Sequence, residues 1–203
     1  MITKYFNEVT GLFSGKLSYI AVSLFLLLTG ISSGVFLVLA MDESDKLVAI
    51  EYISGYLFGA SGIEFPNPLL PELGNNLFLI FIMMISGLVS AGFPIAYAIL
   101  IYKGVALGFS AGLILESFAF EGLHALLLSL IPKNLILLPC YIIAAAVSHI
   151  HAKQSNAGDD RYMKNGRNRE SGSGRYFITY IGIVILVVLA CVLESFIISH
   201  YRV

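Results

Sequence analysis

NNLFLIFIMMISGLVSAGFPIAYAILIY, Asn75 to Tyr102, runs for 28 residues without an Asp, Glu, Lys, Arg or His. A bilayer core of roughly 30 Å is crossed by about 20 helical residues, so this stretch is long enough to span and longer than an upright crossing needs. Gly92 and Pro94 lie inside it. Proline lacks an amide donor and its ring crowds the preceding turn, which predicts a kink and a tilted helix. Lys103-Gly104 then reads as a tight turn, with a further span over Val105–Phe120.

Working outward, Leu17–Ala40 gives 24 residues without a charge, and Leu135–Ile150 and Tyr176–Ser199 supply two more spans. Gly122–Ile131 is too short to cross, and Pro132-Lys133-Asn134 interrupts it, so a short dipping or interfacial helix is expected there. The fold class is therefore all-α: a polytopic transmembrane helical bundle of about five spans, with kinked or broken helices, forming one membrane domain over residues 1–203. Composition agrees. Hydrophobic residues make up 58% and charged residues 12%, about half the charged share of a soluble domain. One soluble core of this size could not hide so much apolar surface.

The net charge of −1 calls for no nucleic-acid partner. Membrane lipid is the expected surroundings. Cys140 and Cys191 both fall in apolar runs, where a thiol behaves as a small hydrophobe. His149 and His151 are two apart, which turns them to different faces of a helix. No zinc-type spacing and no Gly-rich phosphate loop is present, so no cofactor, metal or catalytic residue is expected.

Lys and Arg counts orient the spans. The loop 41–74 holds Lys46 against Asp42, Glu43, Asp45, Glu51, Glu64 and Glu72. The stretch 152–175 carries Lys153, Arg161, Lys164, Arg167, Arg169 and Arg175. With five spans, residues 1–16, the Lys103 turn and this basic stretch share one side, which should be cytoplasmic. The acidic loop and the C-terminus should then lie outside the cell membrane. The Asn, Gly and Ser content of 152–175 reads as a flexible linker, its positive charge drawn to anionic headgroups.

Gly104, Gly108 and Gly112 recur every four residues, with a shorter pair at Gly30 and Gly34. Glycine at this spacing lets another helix approach closely. Packing within the monomer explains it more simply than a homo-oligomer, which the same faces would also serve. Gly108-Phe109-Ser110-Ala111-Gly112 formally matches G-x-S-x-G, but that motif needs a strained turn to present its serine. On a regular helix Ser110 points away from the glycines.

Glu116, Glu121, His124, Lys133 and Glu194 lie in or beside the spans. A charge at the bilayer centre costs about 2.5–3.5 kcal/mol, so such groups seek ends, cavities or partners. Snorkelling or pairing at the interface is the ordinary explanation. A polar outer site contacting a partner is the functional one, with Glu116 the deepest of the group. In the outer loop, Leu47, Ile50, Ile53 and Leu57 recur near helical spacing from Glu43 to Phe58, with Tyr52 and Tyr56 one turn apart. A short amphipathic helix is expected, lying on the membrane or serving as a docking site, followed by a turn at Pro66, Pro68 and Pro71.

Gly92-Phe93-Pro94, Lys103-Gly104, Gly108-Phe109, Gly112, Gly122, Pro132, Asn134-Leu135 and Pro139 stand in this order, and the pattern resembles the stage II sporulation protein M family. Leu193-Glu194-Ser195-Phe196-Ile197 is similar to that family's last helix. Lys133 departs from the pattern, standing where an uncharged residue is expected. The shared residues bend, break or closely pack helices; they specify shape rather than a reaction. The resemblance implies a non-enzymatic scaffold at the sporulation septum. It would anchor or organise two membrane-associated cell-wall hydrolases, sporulation proteins IID and IIP, during engulfment and peptidoglycan remodelling. Interrupted helices also suit a membrane subunit of a transporter, with Lys103 and Glu116 lining a path. An intramembrane serine protease built on Ser110, with His124 or His149 as base, is a third expectation.

Overall fold

The computed structural model describes residues 2–58, 69–129, 131–161 and 166–201, with side chains described over 17–51, 69–116, 132–153 and 174–194. The described residues form α1 (Ile2–Leu39), α2 (Glu43–Phe58), α3 (Leu69–Leu88), α4 (Phe93–Ser129), α5 (Ile131–Arg161) and α6 (Gly166–Tyr201). Five of these contain segments long and apolar enough to cross a bilayer: Leu17–Leu39, Leu69–Leu88, Phe93–Glu116, Pro132–Lys153 and Gly174–Glu194. Helix is the form such segments must take, because hydrocarbon offers no partner to a free amide or carbonyl. The chain is a multi-pass helical membrane protein.

Two boundaries differ from expectation. The reversal between the second and third spans falls at residues 89–92, not at Lys103-Gly104, which lie well inside α4. Gly92 N–H donates to Val89 O at 2.9 Å, and Ile95 N–H donates to Gly92 O at 3.0 Å. A Cβ on Gly92 would collide with the Ser86 carbonyl. Pro94 then occupies the first turn of α4, where its missing donor costs nothing. What read as a kink is thus a complete break, and the charge that read as a turn is a partly buried side chain inside the bundle. The second span consequently starts earlier, at Leu69, and takes Pro71 into its first turn rather than leaving it in a loop.

The second difference is at the other end of α4. Backbone at 122–129, expected as a separate dipping helix, continues α4 without interruption to Ser129. At 37 residues, α4 is about 55 Å long, well beyond one upright crossing. Helix also enters the basic stretch from both sides, to Arg161 and from Gly166. A helix already nucleated by its membrane span extends readily through Lys, Arg, Gln and Glu. In the outer segment α2 occupies Glu43–Phe58, a helix as expected, but Leu47 is exposed while Ile50 is half-buried, so these aliphatics do not share one packed side; Pro66 and Pro68 lie outside the described residues.

Helix α4 is central, touching α1, α2, α3, α5 and α6. Its contact with α1 is backbone on backbone. A Cβ on Gly30 would lie 2.5 Å from Ile101 O, and one on Gly104 would lie 2.6 Å from Leu27 O. Gly34 likewise faces Val105 O and Phe109 N, and Gly108 faces the Ile31 carbonyl. The two glycine pairs therefore interlock, which is the close-approach packing that small residues permit in membranes. Gly112 is looser, with Val38 Cγ2 at 3.4 Å. Elsewhere the core is made by Ile80, Met83, Leu100, Tyr141, Ala144, Ala145, Tyr180 and Val187. Large apolar side chains such as Phe25, Phe36, Ile178 and Ile185 point outward, as expected where the surrounding solvent is lipid.

The spans define two ends. One holds the α1–α3 connection, the α4–α5 junction and the end of the α6 span, and is rich in Asp and Glu. The other holds the α3–α4 reversal and the basic stretch between α5 and α6. At this basic end, side chains of α5 and α6 reach back to α3. Ser148 Oγ donates to Met83 O at 2.8 Å, Tyr176 OH donates to Met84 O at 2.5 Å, and His151 Nδ1 lies 3.0 Å from Gly87 O. Gly87 leaves room for them: a Cβ there would meet the Tyr176 hydroxyl and Ser148. Buried carbonyls near the end of α3 thus gain protein partners that lipid could not supply.

Candidate functional site

Toward the acidic end, polar side chains from four helices converge inside the bundle. Glu72 and Asn76 are four residues apart on α3 and so share one face. Lys103 projects from α4, Lys133 and Tyr141 from α5, and Cys191 and Glu194 from α6. Lys133 Nζ is the hub. It pairs with Glu194 Oε1 at 2.5 Å and with Glu72 Oε1, while Glu194 is only 5% exposed. One ammonium thereby joins α3, α5 and α6. Pro132 in the first turn of α5 starts that helix immediately before Lys133.

A second layer lies deeper. Lys103 Nζ donates to Asn76 Oδ1 at 2.7 Å and stands 5.3 Å from the centroid of the Tyr141 ring, within cation–π reach. Tyr141 OH donates to the same Asn76 Oδ1 at 3.0 Å. Asn76 Nδ2 in turn donates to Glu72 O at 3.0 Å and faces Cys191 Sγ at 3.7 Å. Asn76 and Tyr141 are almost fully buried. Each polar group in the layer has a protein partner, the condition for polar atoms in hydrocarbon. Two lysines balance two glutamates.

Of the sequence candidates, the structure brings together Lys103, Lys133 and Glu194. It adds Glu72, Asn76, Tyr141 and Cys191, none of which had stood out as a site. The i, i+4 spacing of Glu72 and Asn76 was the available signal. It is hidden because the sequence neighbours of Glu72 are those of an acidic loop. Lys133, the departure from the family pattern, has a local reason here, since two carboxylates require a cation between them. Gly92, Pro94, Gly104, Gly108 and Gly112 have the packing and turn roles already described. Asn134 is partly buried and Pro139 is exposed within α5. The side chains of Glu121, His124, Tyr52 and Tyr56 lie outside those described.

Glu116 stands apart. It closes the α4 span and pairs with Lys46 of α2 at 2.6 Å, with the two side chains 40% and 14% exposed. Thirteen residues separate it from Lys103, about 20 Å of helix, and its partner is Lys46 rather than a member of the central polar layer. Lys46→Gln is expected to lower stability by less than about 1 kcal/mol, as for other half-exposed pairs. The thermal midpoint in detergent checks this, and a charge swap of Lys46→Glu with Glu116→Lys should restore the parent value.

Among the described side chains, no serine–histidine pair forms at Ser110. Ser110 is an interior residue of α4 with helical neighbours on both sides, so the strained turn is absent. His149 bonds Tyr97 at 2.6 Å and stacks on Phe93 with centroids 4.3 Å apart. Tyr97 lies thirteen residues before Ser110, again about 20 Å along the helix. Among the described residues no group of three His, Cys, Asp or Glu side chains could hold a metal ion.

Comparison with known proteins gives a single consistent result. The family model described as stage II sporulation protein M matches residues 20–198, most of the chain. No curated protein and no solved structure matches it. The chain belongs to the stage II sporulation protein M family, and is a sporulation-related membrane protein.

Proposed function

We propose that this chain is a non-enzymatic membrane scaffold that anchors or organises peptidoglycan hydrolases during septal membrane remodelling and engulfment. Those hydrolases would be counterparts of sporulation proteins IID and IIP. The observation that carries the proposal is how the intramembrane polar groups are used. Glu72, Asn76, Lys103, Lys133, Tyr141 and Glu194 bind one another across four helices, so they fix a shape. Family membership supplies the process. Chemistry would belong to the partners, and the bundle would supply position.

In the same proposal the basic end faces the cytoplasm and the acidic end, with α2, faces the compartment that contains the wall. The excess of Lys and Arg in 152–175 supports this orientation. A tagged full chain, solubilised from native membranes in gentle detergent, provides the test. Recovery of cell-wall hydrolases with it is the expected result. Recovery of a transport ATPase without hydrolases would replace the scaffold with a transporter subunit, and recovery of the chain alone would count against a stable scaffold.

A further inference from the structure

Between Ala40 and Asn75 the chain has one basic residue, Lys46, and the structure spends it inward. Its ammonium pairs with Glu116 at the end of the α4 span. Ala49 and Ile50 are half-buried on the same side of α2. The opposite side carries Ser44, Leu47, Val48 and Glu51, all exposed, and helical geometry places them together. Leu47 and Val48 are 64% and 68% exposed, and Asp42, Glu43 and Asp45 beside them are exposed too.

Two ordinary explanations compete for this face. The acids stand at the cap and first turn of α2, where Asp42 O accepts from Asp45 N–H and Lys46 N–H, and negative charge there favours the helix. That accounts for the acids but not for two adjacent exposed aliphatics. Immersion of Leu47 and Val48 in the lipid interface would account for the aliphatics. Interfacial helices, however, carry Lys and Arg on their polar side and are drawn to anionic headgroups. Here the outward charge is wholly negative over 42–48, which opposes contact with such a surface. Only three residues separate α1 from α2, and α2 packs against α4, so the short connection and this packing set the direction of the face.

We infer that the outward face of α2, Leu47 and Val48 with the exposed acids Asp42, Glu43 and Asp45 at the start of the helix, is a docking surface for a basic protein segment with an apolar stripe. This deepens the scaffold function proposed above and rests on it: the occupant would be a cationic part of a hydrolase ectodomain. Acid–base attraction would speed encounter and set orientation, and the aliphatic pair would supply the desolvated centre.

The experiment uses the full chain in nanodiscs of neutral and of anionic lipid, with purified ectodomains of the two hydrolases as probes. Two variants are compared with the parent: Asp42→Asn/Glu43→Gln/Asp45→Asn, which keeps capping side chains, and Leu47→Asn/Val48→Thr. The expected result is at least tenfold weaker binding by each, with parent binding falling as salt rises and no change in thermal midpoint. Parent affinity retained by both variants would overturn the docking surface while leaving the scaffold intact. No binding by the parent chain would overturn both. A fluorophore on Leu47→Cys that is quenched by lipid-borne quenchers would assign this face to the membrane and also overturn the inference.

Discussion

Gly108→Leu is expected to leave little folded protein. The position of its Cβ is already occupied by the Ile31 carbonyl, and backbone cannot rotate aside as a side chain can. Ordinary overpacking costs about 1–3 kcal/mol because neighbouring side chains give way. Here α1 and α4 must separate along their length, losing the contacts of Gly30, Gly34 and Gly104 together. The cost should reach or exceed the top of that range. The monodisperse fraction after detergent extraction, and its thermal midpoint, measure it. Gly112→Ala meets only van der Waals contact with Val38, and Gly182 has nothing within 4 Å of an added Cβ. Gly112→Ala and Gly182→Ala should therefore keep the parent midpoint. Equal losses at Gly108 and Gly182 would refute the interlocked geometry.

Lys133→Met should be the most damaging change in the polar layer. It leaves Glu72 and Glu194 facing each other without their shared cation, and removing one partner of a buried pair costs about 3–5 kcal/mol. Adding Glu194→Gln removes one of the two stranded charges, leaves Glu72 to balance Lys103, and should recover most of the loss. The thermal midpoints of the single and double variants give the answer. If Lys133→Met alone were harmless, the hub role of Lys133 would be wrong. The Lys46–Glu116 pair provides the contrast, because its partial exposure predicts a small effect.

Hydropathy and chain length disclosed the architecture because a bilayer imposes both on a helix. The α2 helix was also legible, but not which of its sides packs: Leu47 is exposed and Lys46, Ala49 and Ile50 turn inward. The position of the second reversal was not. Lys103-Gly104 looks like a turn in one dimension because a charge and a glycine are poor members of an isolated span. Both are explained only by what faces them: Asn76 and Tyr141 for the lysine, Leu27 and Gly30 for the glycine. Glu72 was misplaced for the same reason. Its sequence neighbours are those of an acidic loop, and its partners lie sixty-one and more residues away on α5 and α6. Glu194 and Lys133 were visible as charges near span ends, but their union required knowing which ends coincide.

The ties from α5 and α6 back to α3 also impose an order on biogenesis. When α3 leaves the ribosome, the carbonyl of Gly87 and the carboxylate of Glu72 still lack the side chains that bond them in the finished bundle. Ser148, His151 and Lys133 arrive with α5, and Tyr176 and Glu194 arrive last with α6. A half-made bundle therefore leaves polar groups in hydrocarbon without their partners. Only the final span closes both ends of the molecule at once.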